Sequence, residues 1–270
     1  MKRRRELDKV IETGDAVRLS ALLQAGGDNE EHNHLGWTPL MSTAYKGNLN
    51  AMRALISAGA DRYTLTRDGE CALHIAARGG QADAIRYLIS LGLNVNATDH
   101  YGEVTPLHIA AAGSRHDIAS EACAALLDAG AKIDARNKDG ATPLYFASLS
   151  MREKVSRFLV SRGADTNVRA SKGRTALITV TKLAMKPETA SLLVEIGAEL
   201  DIQDDDGCTA LIYAARHTTI GFLDILINAG ANPLLQNNEG KTALDIAEEI
   251  ARTSSSGHSE TIAILRRAMI

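Results

Sequence analysis

Large rings are scarce in this 270-residue chain: aromatic residues make up 4% of it, with a single tryptophan. That shortage, beside abundant alanine, leucine and isoleucine, disfavours a β-sandwich core and favours closely packed helices. Cysteine is also sparse. Cys71, Cys123 and Cys208 are odd in number, far apart and without a CxxC pair. They exclude a disulfide framework and a paired-cysteine zinc site, and they fit a reducing compartment. No apolar run approaches the length of a membrane span. The start, MKRRRELDKVIETGD, carries a basic cluster with no apolar stretch behind it, so a solvated tail is expected rather than a signal peptide, and the expected location is the cytoplasm. With a net charge of −3 the chain has no global field to recruit nucleic acid or an anionic membrane. G-x-S-x-G, H-E-x-x-H and P-loop patterns are missing. The expectation is a protein that is not an enzyme, has no catalytic residue and takes no cofactor, metal or small-molecule substrate.

What the sequence does contain is a period. TPLM from Thr38, CALH from Cys71, TPLH from Thr105, TPLY from Thr142, TALI from Thr175, TALI from Thr209 and TALD from Thr242 recur every 33 to 37 residues, each preceded by a glycine. A second marker keeps the same phase: two branched aliphatic residues, then a glycine, from Leu22-Leu23/Gly26 through Leu126-Leu127/Gly130 to Leu226-Ile227/Gly230. Each copy reads alike. A threonine N-cap, often with proline behind it, opens a short Ala-rich helix. A turn and a second amphipathic helix follow, ended by a glycine in the left-handed region. A tight turn rich in Asp, Asn and Gly leads to the next threonine.

These features, best matched by DHYGEVTPLHIAAAG and DGECALHIAARGG, resemble the ankyrin repeat over nearly the whole chain. The resemblance implies an all-α solenoid: paired antiparallel helices stacked side by side, with β-turn fingers projecting from them. One domain over residues 1–270 is expected. It comprises an N-terminal capping repeat (1–32) and repeats near 33–65, 66–98, 99–136, 137–169, 170–203, 204–236 and 237–270.

Departures from the pattern are informative. The third repeat carries about four extra residues around GSRHDIASEA and one more, Val104, before its threonine; the fifth is one residue longer within KLAMKPETA. The glycine between the paired helices is present as Gly47, Gly80 and Gly113, but its place is taken near Met151, Ala184 and Thr218. A reshaped loop there lies at the edge of the groove, where either drift or a partner contact accounts for it.

The apparent chemistry yields to the period. His74 and His108 align with Met41, Tyr145, Ile178, Ile212 and Asp245, a set no ligating or catalytic position accepts, so both are expected to bond backbone between neighbouring turns. His32 and His34 lack a third ligand at a diagnostic distance, and DIQDDDG from Asp201 lacks the glutamate of a calcium loop.

The resemblance places partner binding in a concave groove formed by finger tips and the ends of the first helices. Residues at those positions are His34, Trp37, Tyr45, Lys46, Arg67, Arg78, His100, Tyr101, Arg136, Lys138 and Arg174, with Arg115 and His116 in the third-repeat insert. Trp37, the only tryptophan, reads either as an interface anchor or as a ring folded over the neighbouring finger. The fingers run from aromatic and mixed, through basic (Arg136, Lys138, Arg169, Lys172, Arg174), to acidic (Asp204 to Asp206). Such zoning favours a folded protein partner over a uniform polyanion. The expectation is a protein-binding module, monomeric when free, that occludes or inhibits its partner. Its Ala-rich, slightly degenerate repeats look like those of stand-alone prokaryotic ankyrin proteins, which implies an immunity protein inhibiting a toxin. The alternatives are an effector or scaffold engaging a host or cellular protein and, from another class, nucleic-acid binding through the basic fingers.

Overall fold

Threonine hydroxyls open the first helices of the repeats. The computed structural model describes residues 2–113, 118–217, 219–253 and 258–269, without the side chains of residues 2–5 and 8. In it Thr38 Oγ1 accepts the backbone N–H of Met41 at 3.3 Å, and Thr142, Thr175 and Thr209 cap Tyr145, Ile178 and Ile212 in the same way. Pro39, Pro106 and Pro143 occupy the first helical turn, where a missing N–H costs nothing.

The described residues form helices and turns, with no strand. Within residues 1–138 the helices are α1 (Lys2–Thr13), α2 (Ala16–Gln24), α3 (Pro39–Lys46), α4 (Leu49–Ser57), α5 (Ala72–Gly79), α6 (Ala82–Ser90), α7 (Pro106–Ala112) and α8 (Ala119–Asp128). Residues 139–270 hold α9 (Pro143–Leu149), α10 (Glu153–Ser161), α11 (Ala176–Lys182), α12 (Pro187–Glu195), α13 (Ala210–Ala214), α14 (Ile220–Asn228), α15 (Ala243–Thr253) and α16 (Ser259–Ala268). These two segments are separate compact units, and their boundary falls inside the finger of the fourth repeat.

Each unit is a stack of helix pairs. In the first, α3 packs on α5 and α5 on α7, while α2 meets α4 and α6 meets α8. In the second, α9, α11, α13 and α15 pack in succession, and α12, α14 and α16 form the other row. Small side chains let the first helices approach closely: Ala72, Ala76, Ala77 and Gly79 of α5 are all buried. A methyl group on Gly79 would overlap the Tyr45 carbonyl of α3. The scarcity of rings is therefore a packing requirement of this stack.

Fingers connect the pairs and are tied to one another by backbone. Each closes on itself, as in Asn33 N–H to Trp37 O (2.8 Å) and Asp204 N–H to Cys208 O (3.0 Å). Successive fingers are linked by His100 N–H to Asp68 O (2.9 Å) and Lys138 N–H to Gly102 O (2.7 Å) in the first unit. In the second unit the links are Asp205 N–H to Lys172 O (3.0 Å) and Asn238 N–H to Asp206 O (3.1 Å).

The irregular repeats show where the pattern bends. The extra residue before Thr105 moves the left-handed conformation from the finger glycine to Glu103, at φ 55°. Between paired helices Gly47 and Gly80 have φ of 73° and 71°, and Met151 (56°) and Ala184 (47°) hold the same region without glycine's freedom. Gly113 does not, with φ −49°. Thr218 and most of the third-repeat insert, with Arg115 and His116, lie outside the described residues.

Candidate functional site

The histidines of the motif are structural. Nδ1 of His74 accepts the Cys71 N–H at 3.2 Å and lies 3.1 Å from the Cys71 thiol, while Nε2 donates to the Val104 carbonyl of the next finger at 3.1 Å. Burial is the largest influence and opposes charge on both members, but their mutual hydrogen bond, their charge attraction and nearby backbone hydrogen bonds together outweigh it, lowering the Cys71 pKa and raising that of His74. His108 repeats the arrangement on Thr105, at 3.2 Å to N–H and 2.9 Å to the hydroxyl. Asp245 does the same work in the last copy, accepting from the N–H and hydroxyl of Thr242 at 2.9 and 2.6 Å. The described residues contain no cluster of three or more His, Cys, Asp or Glu placed to hold a metal ion, and none of their helices is long and apolar enough to cross a membrane.

In the first unit, the finger and helix-end positions bring several predicted residues together. The backbone of Trp37 closes the first finger, its N–H donating to Asn33 Oδ1 at 3.0 Å. Its half-buried ring packs on α3 of its own repeat, 5.2 Å from the Tyr45 ring at an interplanar angle of 46°. Such a tilted pair pre-sets both rings in one orientation. Around it His34, Leu35, Tyr45 and Lys46 are exposed. Arg78, at the end of α5 beside Gly79, clamps Glu70 with both guanidinium arms, one at 3.0 Å. His100 is exposed but rests against Gly69 of the preceding finger, which has no room for a side chain. Tyr101 stands clear of the surface at 66% exposure; Arg67, Arg136 and Lys138 are exposed on their fingers.

The second unit holds a constellation that only partly matches the predicted residues. Arg174 is drawn inward: its Nε donates to the fully buried carboxylate of Asp204 at 3.1 Å, and a terminal nitrogen reaches Asp206 at 3.5 Å. Asp204 Oδ2 also accepts the Tyr213 hydroxyl at 2.7 Å, and Lys182 Nζ donates to that hydroxyl at 3.1 Å. Burial works against the charged carboxylate, but bonds from Tyr213, Cys208 N–H and Arg174 prevail and hold the Asp204 pKa below the ordinary range. Burial, and then Asp204, pushes the Tyr213 phenol up. Desolvation, followed by the charge of Arg174, lowers Lys182. Arg169 pairs with Asp205 at 3.4 Å, so the basic fifth finger and the acidic sixth largely neutralise one another.

Tyr213 lies four residues after its motif threonine, a position with Ile in three sister copies. Sequence offered one signal for it. Nine residues separate Asp204 from Tyr213, as they separate Asn33 from Ser42, which bond at 3.2 Å in the first repeat.

A family model described as ankyrin repeats matches the chain in three copies, at residues 10–99, 96–170 and 177–267. Among curated proteins, human neurogenic locus notch homolog protein 1 is 30% identical over 153 residues, covering 56% of this chain and 6% of the relative. The zebrafish (Danio rerio) protein of the same name is 29% identical over 150 residues, covering 55% and 6%. The chain thus spans a small fraction of the length of these relatives. The crystal structure of the human ASB11 ankyrin repeat domain aligns with a TM-score of 0.70 at 25% identity, covering 86% of this chain and 98% of that one.

Proposed function

The chain belongs to the ankyrin-repeat family, and from that premise we propose that it is a non-enzymatic module that binds another protein through the finger tips and first-helix ends of residues 33–138. Repeats of this family generally mediate protein–protein interaction. The observation that carries the placement is the Trp37–Tyr45 pair: two large rings held in fixed contact beside exposed Leu35 and Lys46. Rings fixed before binding lose little rotamer freedom on contact, and aromatic side chains dominate interface energetics. Occlusion of the partner, with inhibition as the outcome, is the activity we assign. Neutralisation of a toxin by an immunity protein is one form of it, and engagement of a host or cellular protein another. We place this binding in the cytoplasm, with the chain monomeric when free.

Alanine at Trp37, Tyr45 and Tyr101 together tests this reading. The wild-type chain, immobilised in lysate of its source, is expected to retain a protein that the triple variant loses, with helicity equal by circular dichroism. Undiminished retention by the triple variant places the site elsewhere.

A further inference from the structure

We propose that Asn33 and Ser42 are positioning residues for recognition by the first repeat: they hold its finger against α3, in place of the backbone ladder that holds the other fingers. The inference rests on the protein-binding reading and deepens it.

The first finger stands apart from the second. His100, Lys138, Ser171, Asp205 and Asn238 each donate a backbone N–H to a carbonyl of the preceding finger. The matching bond, from Arg67 N–H to Leu35 O, is absent among the described residues. The space beside the finger glycines agrees. A methyl group on Gly69, Gly173 or Gly207 would run into the following finger at His100, Asp205 or Asn238, whereas one on Gly36 would have no atom within 4 Å. Glu30 accepts the Asp61 N–H at 2.8 Å, which fixes the loop leading into the first finger but not the tip.

What holds the tip comes from its own repeat. Asn33 Oδ1 accepts the N–H groups of Leu35 and Trp37 at 2.8 and 3.0 Å, so one side chain spaces the exposed leucine from the recognition ring. Asn33 Nδ2 donates to Ser42 Oγ on α3 at 3.2 Å. Ser42 and Tyr45 lie three residues apart and so share a face of α3. The Trp37 ring rests on Tyr45, and the finger is thus pinned to that face twice, through the Asn33 amide and through the ring. In the next two copies Ile75 and Ile109 stand at the position of Ser42 and cannot take such a bond. Their fingers are held by the ladder instead. A tip set before contact loses less freedom on binding, and Ser42 supplies part of that setting.

The test compares the full chain as wild type, Ser42→Ala and Ser42→Thr. Val155→Ala, a change at a buried position of α10 in the second unit, serves as a control for lost stability. In the wild type the Arg67 amide is expected to be less protected from hydrogen exchange than those of His100 and Lys138. Nitrogen-15 relaxation then reads the tip. Ser42→Ala is expected to lower the order parameters of Leu35 and Gly36 from about 0.85 to about 0.6, with Asp68 and Gly69 unmoved; Ser42→Thr restores them, and Val155→Ala leaves them unchanged. The protein that the wild-type chain retains from lysate should bind Ser42→Ala about fivefold more weakly, and Ser42→Thr and Val155→Ala within about twofold of wild type. An Arg67 amide as protected as that of His100, a Ser42→Ala tip as ordered as the wild type, or a loosened tip with full affinity overturns the proposal. So does equal weakening by Val155→Ala. A wild-type chain that retains nothing counts against the Trp37 reading, and the order parameters alone then decide whether Ser42 holds the finger.

Discussion

Asp204 does four jobs with two oxygens. Oδ1 accepts the N–H groups of Asp206 and Cys208, both at 3.0 Å, and so shapes the sixth finger. Oδ2 takes the Tyr213 hydroxyl and the Arg174 guanidinium. Removing the carboxylate leaves a half-buried arginine nitrogen, a buried phenol and two backbone donors without this acceptor. Asp204→Ala is therefore expected to cost about 3 kcal/mol in urea unfolding. A depressed folded pKa stabilises the fold above the unfolded carboxylate range and loses that contribution as pH falls through the folded value. Between neutral pH and about pH 4 the Asp204 contribution should hold steady, and below that it should fade. Asp204→Asn should remove this part of the acid sensitivity, leaving a shallower loss of stability between about pH 4 and pH 2. At this scale the sequence was half legible. It showed Asp204 in an acidic finger and Arg174 in a basic one, 30 residues apart, but which charges meet depends on how far each finger leans toward the next. Tyr213 was hidden for the same reason: its neighbours come from three copies of the motif.

The helices themselves were legible because their caps are local. Thr-Pro, the Ala-rich first turn and the terminal glycine each act within a few residues, so period and phase carry them intact. What did not follow from pattern was the conformation adopted where a marker is missing. Met151 and Ala184 keep the left-handed turn of Gly47 and Gly80 although a Cβ is strained there. Ala184→Gly is accordingly expected to stabilise the chain by about 1 kcal/mol, read as a rise in the midpoint of thermal or urea unfolding. Unchanged or lowered stability would show that the turn is not strained. The opposite substitution belongs to the α3–α5 contact. Gly79→Ala drives a methyl into the Tyr45 carbonyl and should cost about 2 kcal/mol, with the Trp37–Tyr45 pair displaced in near-ultraviolet circular dichroism.

On the scale of the molecule, repeat architecture and surface chemistry part company. Seven copies of one motif determine the stack, and the residues that vary between copies, outside the caps and core, are left to face a partner. Charge zoning looked continuous in the sequence. In the structure Arg169 and Arg174 are taken up by Asp205, Asp204 and Asp206, so the second unit presents little net positive charge on those fingers. Generic duplex DNA or RNA should therefore give flat binding curves even at about 50 mM salt; a saturable curve with a steep salt slope would reinstate nucleic acid as a ligand. The first unit keeps its exposed rings, and Trp37, alone of its kind, makes them directly observable. Labelled with 5-fluorotryptophan, the chain has one fluorine resonance, from the centre of the proposed interface. Titration with the captured partner, free of label, should shift or broaden that resonance to saturation at the stoichiometry of the complex. A resonance unmoved when the partner is fully bound would contradict the account.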